Sequence, residues 1–263
     1  VQARRLCLGN LPGYEALCLR REQLRPGPEQ VTGTVLDGPA LTTLDGSRWT
    51  QLDWCSTTRR DGRTHSLRLL SNQLIAVTGP SGCGKTTLLD QISGLQEEEH
   101  SAWTITCGSE HWQLSGPAGA RQLHQLMACA PQHAALFEAS LRDNLLLGRE
   151  LPDATIASWL HRLGLQHLLD RPEGLEAPMA LSQSPFSGGE IHRLGLLRAW
   201  LRDRPVDVLD EPTAFLDAVA AAQVREVIQE RSRQRLVLVS SHDPDLLTLA
   251  DVVIDLGTVA AGS

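Results

Sequence analysis

Short apolar runs alternate along the chain with segments in which apolar residues recur at helical spacing. Runs rich in Leu, Ile and Val are typical of strands, whereas the i, i+3, i+4, i+7 spacing of Ile156, Trp159, Leu160 and Leu163 is typical of a helix with one buried face. The predicted strands are residues 50–54, 66–70, 74–78, 103–107, 126–130, 206–209, 236–241 and 252–254. Strands that alternate with helices predict an α/β fold built on a mostly parallel sheet.

The same patterning predicts how the chain is organised. Residues 1–38 show little periodicity and contain several arginines and the Pro26-Gly27-Pro28 break, so we expect a linker or lead-in there. Residues 39–263 are predicted to form one domain of ordinary core size. Within it, helical periodicity over about residues 138–186 predicts a helical insertion between two groups of strands.

A phosphate-binding loop connects the apolar run at residues 74–78 to a helical pattern. The segment consists of Gly79, Pro80, Ser81, Gly82, Cys83, Gly84, Lys85 and Thr86, and Thr87 follows it. Its glycines let successive backbone N–H groups point inward, and the start of the next helix adds a partial positive charge. Lys85 is expected to neutralise the outer phosphates and Thr86 to hold Mg²⁺. The sequence therefore predicts that a nucleoside triphosphate binds here.

Further polar residues follow other apolar runs. Asp210 and Glu211 come directly after residues 206–209, where Asp210 can hold Mg²⁺ and Glu211 can polarise an attacking water. Gln132 and His242 also follow β-like runs, and their side chains can converge on a γ-phosphate. Asp207 is an exception, since a carboxylate inside a buried strand requires a partner or weakens the strand.

Composition excludes several classes of function. A net charge of −7 and a pI of about 5.7 leave no basic surface for nucleic acid, so no nucleic-acid partner is expected. The six cysteines form no C-x-x-C pair, which indicates free thiols and makes a zinc site unlikely. No apolar run approaches the ~18 residues of a membrane span, so we expect the chain itself to be soluble. It begins at Val1, and we expect it to be a piece of a longer protein.

A glycine-rich turn, Ser187-Gly188-Gly189, completes a recognisable order of motifs. With the phosphate loop, Gln132, the acidic strand end, Asp217 and His242, it resembles the ATP-binding cassette (ABC) ATPases over roughly residues 39–257. The resemblance implies a P-loop NTPase core of the RecA type, with an antiparallel β subdomain and a helical subdomain. It also implies that ATP and Mg²⁺ bind between two cassettes paired head to tail, as a homodimer or a heterodimer.

The resemblance assigns roles to individual residues. The Ser187, Gly188 and Gly189 turn of one cassette would contact the γ-phosphate bound by the partner, and Asp217 would lie at the dimer seam. In each site Glu211 would be the general base and His242 would contact the γ-phosphate. The implied Mg²⁺ ligands are Thr86, Gln132 and Asp210. The aromatic residue that stacks on adenine would be Trp54, with Trp49 as the competing candidate and ordinary core packing as the alternative for both.

Residues 136–145 are similar to the stretch that follows the glutamine loop in cassettes fused to exporter membrane domains. The implied function is the ATP-hydrolysing motor of an exporter, at the cytoplasmic face of the inner membrane, with a transmembrane domain as partner. Residues 1–38 would then be a linker or a lead-in from that membrane domain. The turn of Ser187, Gly188 and Gly189 is the signature turn of the family. Residues 187–196, which begin with it, and residues 241–244 around His242 further resemble bacterial half-transporters that export cysteine and glutathione. A soluble ABC ATPase that does not transport and a regulatory module that binds ATP without turnover remain as alternatives.

The sequence departs from the family pattern at several positions. Phe186 and Glu190 replace the usual leucine and glutamine on either side of the signature turn, and Phe215 is bulky where small residues are normal. Residues 174–181 lack the glycine-glutamate pair usual in exporters. These departures leave the packing around Asp217 and the coupling to a membrane domain open.

Overall fold

A computed structural model describes residues 4–7, 49–57, 64–96, 101–179 and 186–257. The strands are β1 (Arg4–Cys7), β2 (Gln51–Thr57), β3 (Thr64–Leu70), β4 (Leu74–Thr78), β5 (Ala102–Cys107), β6 (Glu110–Ser115), β7 (Met127–Ala130), β8 (Val206–Asp210), β9 (Leu236–Ser240) and β10 (Val252–Asp255). The helices are α1 (Lys85–Ser93), α2 (Gly116–Leu123), α3 (Leu141–Leu146), α4 (Asp153–Arg162), α5 (Gly188–Trp200), α6 (Ala218–Ser232) and α7 (Pro244–Leu249).

Six strands form a parallel sheet in the spatial order β1-β10-β4-β9-β8-β7. Every residue of β8 and β9 is buried, as expected for central strands covered on both faces. One face packs against a core that includes residues of α5, α6 and the helical segment, and the other packs against α1 and the second sheet. The predicted α/β fold with a mostly parallel sheet is therefore confirmed.

The second sheet is antiparallel, in the order β3-β2-β5-β6. Residues alternate along β2, so that Leu52 and Trp54 enter the core while Asp53 lies outward against Arg68. The hydrophobic pattern did not predict β6 or α2. Strand β6 is mostly exposed and polar, and α2 begins with Gly116-Pro117, so neither carries a long apolar stripe.

The helical insertion lies within the predicted range. It comprises α3, α4 and two short 3₁₀ turns, Gln166–Asp170 and Gly174–Glu176. Backbone hydrogen bonds tie the segment after the second turn to the start of α3, from Leu141 N to Ala177 O and from Met179 N to Ala139 O. Residues 174–181 lack the glycine-glutamate pair usual in exporters, and the last two of them, 180 and 181, lie outside the described residues.

Most of the predicted lead-in, residues 1–38, also lies outside the described residues. Four of its residues form β1, which pairs in parallel with β10 at the edge of the main sheet. These four residues therefore belong to the main sheet. The prediction that the lead-in arrives from a membrane domain stays a prediction.

Asp207 has the partner that its position in β8 requires. Its side chain is 0% exposed and accepts two hydrogen bonds from the Arg231 guanidinium, at 2.5 and 2.9 Å. Burial raises the pKa of the Asp207 carboxyl, and the hydrogen bonds and charge of Arg231 oppose that rise. The guanidinium also lies over the rings of Trp159 and Trp200, so it joins the helical segment to the sheet.

Arg231→Met should lower the free energy of unfolding by about 3–5 kcal/mol, because Asp207 would remain buried without a cation. Urea denaturation at neutral pH measures this change. Arg68→Met, which removes an exposed ion pair with Asp53, should cost no more than about 1 kcal/mol. Equal losses of unfolding free energy in the two variants would show that the buried pair contributes no more to stability than the exposed pair does.

Candidate functional site

Four functional loops leave the same edge of the parallel sheet. Strands β4, β9, β8 and β7 are successive neighbours, and each runs in the same direction. Their carboxyl ends lead to the phosphate loop, His242, Glu211 and Gln132. Since ligands of open α/β sheets bind outside the carboxyl ends of the strands, this edge is the candidate site.

The phosphate loop wraps around the start of α1. Gly84 caps the helix in a left-handed conformation, with φ of 98°, which glycine adopts without steric cost. A Cβ atom at Gly79 would lie 2.8 Å from Cys83 Sγ and 3.0 Å from Gly257 N, so a side chain there would collide with its neighbours. The loop therefore requires glycines, and it presents the positive end of α1 to the cleft.

Lys85 occupies the centre of the loop and is 9% exposed. Its Nζ donates to the carbonyl oxygens of Gly79 and Pro80, at 2.9 and 3.3 Å, and lies 2.8 Å from Nε2 of His242. Because an ammonium group can only donate, Nε2 must be the acceptor, which assigns the imidazole proton to Nδ1. Glu211 Oε1 lies 3.5 Å from the same Nε2.

The loop is joined to β8 and β9 by a chain of hydrogen bonds. Thr86 Oγ1 donates to Asp210 Oδ2 at 2.8 Å, while Ser240 Oγ donates to the other oxygen, Oδ1. Ser240 Oγ also accepts from the backbone N–H of Glu211 at 2.9 Å, and Glu211 adopts a positive φ of 47°. Ser240 therefore holds both acidic residues. The sequence offered one signal for Ser240, a serine at the end of the apolar run 236–239.

These loops enclose a cleft of about 510 Å³. Its lining is Ser81, Gly82, Gly84, Lys85, Thr86, Thr87, Gln132, Asp210, Glu211, Ala214, Phe215 and His242. The volume and the cation at its centre suit a nucleotide. Mg²⁺ prefers oxygen ligands, usually together with phosphate oxygens and water. The hydroxyl of Thr86, the carboxylate of Asp210 and the amide oxygen of Gln132 are ligands of this kind.

The signature turn does not belong to this cleft. Among the described residues that line it, Ser187, Gly188 and Gly189 do not occur. Ser187 instead caps α5, since its hydroxyl accepts from Glu190 N and donates to Glu190 Oε2, at 3.2 and 2.9 Å. Burial would raise the pKa of Glu190, but hydrogen bonds from Ser187 and His167 outweigh it and lower that pKa.

The segment after Glu211 contains the other predicted seam residue. Asp217 caps α6, with Oδ1 accepting from Ala220 N at 2.8 Å, and does not line the cleft among the described residues. Phe215 does line it, has a positive φ of 63° and is 61% exposed. Its ring lies 5.7 Å from that of His133, and most of the bulky side chain is exposed, outside the two hydrophobic core clusters.

The assignment of Trp54 to adenine stacking is wrong for this structure. Trp54 is 1% exposed, pairs with Trp103 across β2 and β5, and belongs to the core between the two sheets. Trp49, the competing candidate, is also buried in that core. Neither indole offers a free face to a base, so core packing accounts for both.

Comparisons with known proteins agree on one family. The family model described as ABC transporter matches residues 63–214. A glutathione/L-cysteine transport system ATP-binding/permease protein, CydC of Escherichia coli (strain K12), is 37% identical over 180 residues, covering 67% of this chain and 30% of that protein. A beta-(1→2)glucan export ATP-binding/permease protein, NdvA of Brucella suis biovar 1 (strain 1330), is 31% identical over 195 residues, covering 72% and 31%.

A solved structure of a bacterial Atm1-family ABC exporter with ATP bound has the same fold. Its TM-score is 0.67 at 20% identity, over 85% of this chain and 40% of that one. The chain thus spans about a third of the length of the curated relatives it matches. In the part of the chain that the structure describes, no helix combines the length and the apolar character needed to cross a membrane.

Trp54→Leu should destabilise the fold without changing the preference for adenine. We expect the ratio of ATP affinity to tripolyphosphate affinity, measured by calorimetry, to stay as in the wild type, because a buried indole contacts neither ligand. Trp103→Leu is the matched control, since it removes the indole opposite in the same core. A stacked ring is worth about 1–3 kcal/mol, so a selective loss of roughly fivefold or more in ATP affinity would restore Trp54 to the site.

Proposed function

Because this chain belongs to the ABC transporter family, we propose that it is the nucleotide-binding domain of an exporter, which binds ATP and hydrolyses it to drive transport. The observation that carries the proposal is the convergence of Lys85, Asp210, Glu211 and His242 from neighbouring parallel strands on one cleft. A module that only binds ATP would not need a carboxylate and an imidazole beside the phosphate loop. The named relatives are export or transport proteins with a permease part.

Each residue of the cleft would have its own role in ATP binding or hydrolysis. The phosphate loop and Lys85 would bind the triphosphate, with Lys85 exchanging its bond to His242 for a phosphate oxygen. Glu211 would orient a water for in-line attack and accept its proton. His242, once released by Lys85, would donate to the γ-phosphate from Nε2 as its other tautomer. Thr86, Asp210 and Gln132 would hold Mg²⁺, which neutralises charge on the phosphates when it is bound.

A second cassette would complete each site. Ser187 caps α5, and Gly188 and Gly189 are its first residues, whose backbone N–H groups have no acceptor within the helix and face an anion in such turns; none of the three lines the cleft of its own chain. We therefore infer a head-to-tail pair in which this turn contacts the nucleotide of the partner, with Asp217 near the seam. The pair would act beneath a transmembrane domain, at the cytoplasmic face of the inner membrane.

Glu211→Gln should bind ATP but hydrolyse it at least about 100-fold more slowly, because a general base typically contributes 10²–10⁴ in rate. Phosphate release measures the turnover, and size-exclusion chromatography with ATP should show an accumulated dimer. Glu226→Gln makes the same change at an exposed position of α6 and should behave as the wild type. Normal hydrolysis by Glu211→Gln would place the base elsewhere.

Ser187→Arg should abolish hydrolysis in a homodimer, because it puts a bulky cation where the partner's γ-phosphate must lie. In a heterodimer, the site built on Lys85 of this chain should still turn over once, which single-turnover assays detect. Ser140→Arg is the control, since the Ser140 hydroxyl caps α3 in the same way, by accepting a hydrogen bond from a backbone N–H three residues on. Unchanged turnover at both sites would contradict the paired-cassette mechanism.

A further inference from the structure

His192 on α5 is buried between two of the loops that form the cleft. It is 3% exposed, and its ring has a nitrogen aimed at each loop. Nδ1 lies 3.1 Å from the carbonyl oxygen of Gln132, and Nε2 lies 3.1 Å from the carbonyl oxygen of Pro212. Gln132 follows β7 and Pro212 directly follows Glu211, so one ring bridges the backbones that carry two of the proposed functional side chains.

The chemistry of the two contacts limits what the ring can do. Both partners are carbonyl oxygens, which only accept, so each bond needs an N–H on the imidazole. Burial lowers the pKa of His192, although the hydrogen bonds to Pro212 and Gln132 oppose this. A neutral ring has one N–H and therefore donates to one carbonyl at a time. Only a ring that carries both protons donates to both carbonyls at once.

Neighbouring contacts tie the same ring to the signature helix and the cleft. His192 lies one turn into α5, which begins after Ser187. The ring of Phe215, which lines the cleft, meets His192 edge to face at 6.1 Å and 80°. A Cβ atom at Gly189 would lie 3.0 Å from the carbonyl oxygen of Phe215, so the start of α5 packs closely against this segment. A shift of α5 would therefore move its contacts with both the Gln132 loop and the loop after Glu211.

We propose that His192 is a positioning residue for ATP hydrolysis, which sets the spacing of the Gln132 and Glu211 loops through its hydrogen bonds to their backbones. This inference rests on the proposed function, since it assumes that Gln132 and Glu211 act on bound ATP. His192 itself does not line the cleft among the described residues, so it acts through the two loops. Its loss should slow the chemical step more than it weakens nucleotide binding.

Three substitutions separate the two bonds. In His192→Asn the amide nitrogen takes the place of Nδ1 and can bond to Gln132, and in His192→Gln it takes the place of Nε2 and can bond to Pro212. His192→Phe keeps a ring of similar size but has no donor. We expect kcat of His192→Phe to fall about tenfold, the effect of one hydrogen bond of ~1.4 kcal/mol, while the Kd for ATP changes less than about threefold. The Asn and Gln variants should recover part of kcat.

The measurements are phosphate release, calorimetric Kd and melting temperature at saturating ATP, on the transporter that contains this cassette together with its partner cassette. His161→Phe, the same change at an exposed histidine of α4, should match the wild type. Wild-type kcat in His192→Phe would overturn the inference. So would equal kcat losses in all three variants that follow their melting temperatures, because His192 would then be a packing residue. A transporter that binds ATP in its wild-type form but does not hydrolyse it would overturn the proposed function and this inference together.

Discussion

Strands β4, β9, β8 and β7 lie side by side in one parallel sheet, and their register sets the relative positions of the cleft residues. Pairing of Val77 with Ser240 and of Asp210 with Ser240 places one serine between the phosphate loop and the acidic residues. A shift of one residue in either ladder would turn Ser240 to the other face of the sheet. The chemistry of the cleft thus depends on backbone pairing within a layer whose central strands, β8 and β9, are buried throughout.

Motifs whose residues are adjacent in sequence were predictable, because their geometry is local. The phosphate loop needs a strand, glycines and a helix start within a short stretch, and the Ser187 and Glu190 spacing is that of a capping box. The position of Trp54 was not predictable from its distance to Lys85, because sequence distance does not say which face of β2 a residue occupies. Leu52, Trp54 and Ser56 are two residues apart along β2 and share its buried face.

Residues whose partners are distant in sequence could not be assigned beforehand. Ser240 bonds to Asp210 across 30 positions, and His192 reaches Gln132 across 60 and Pro212 across 20. The need for a partner to Asp207 was predictable from desolvation alone, but its identity was not. Arg231 is selected by the way α6 packs on the parallel sheet, a tertiary contact that no periodicity encodes.

The pair of Asp207 and Arg231 also constrains how the sequence can change over time. Loss of either side chain leaves a charge in the core, whereas replacement of both by apolar residues of similar volume can be tolerated. Any lineage that exchanges one residue must pass through a poorly folded intermediate unless the second change occurs with it. Positions 207 and 231 should therefore covary among related cassettes, and sequences that keep an apolar residue at 207 should lack the arginine at 231.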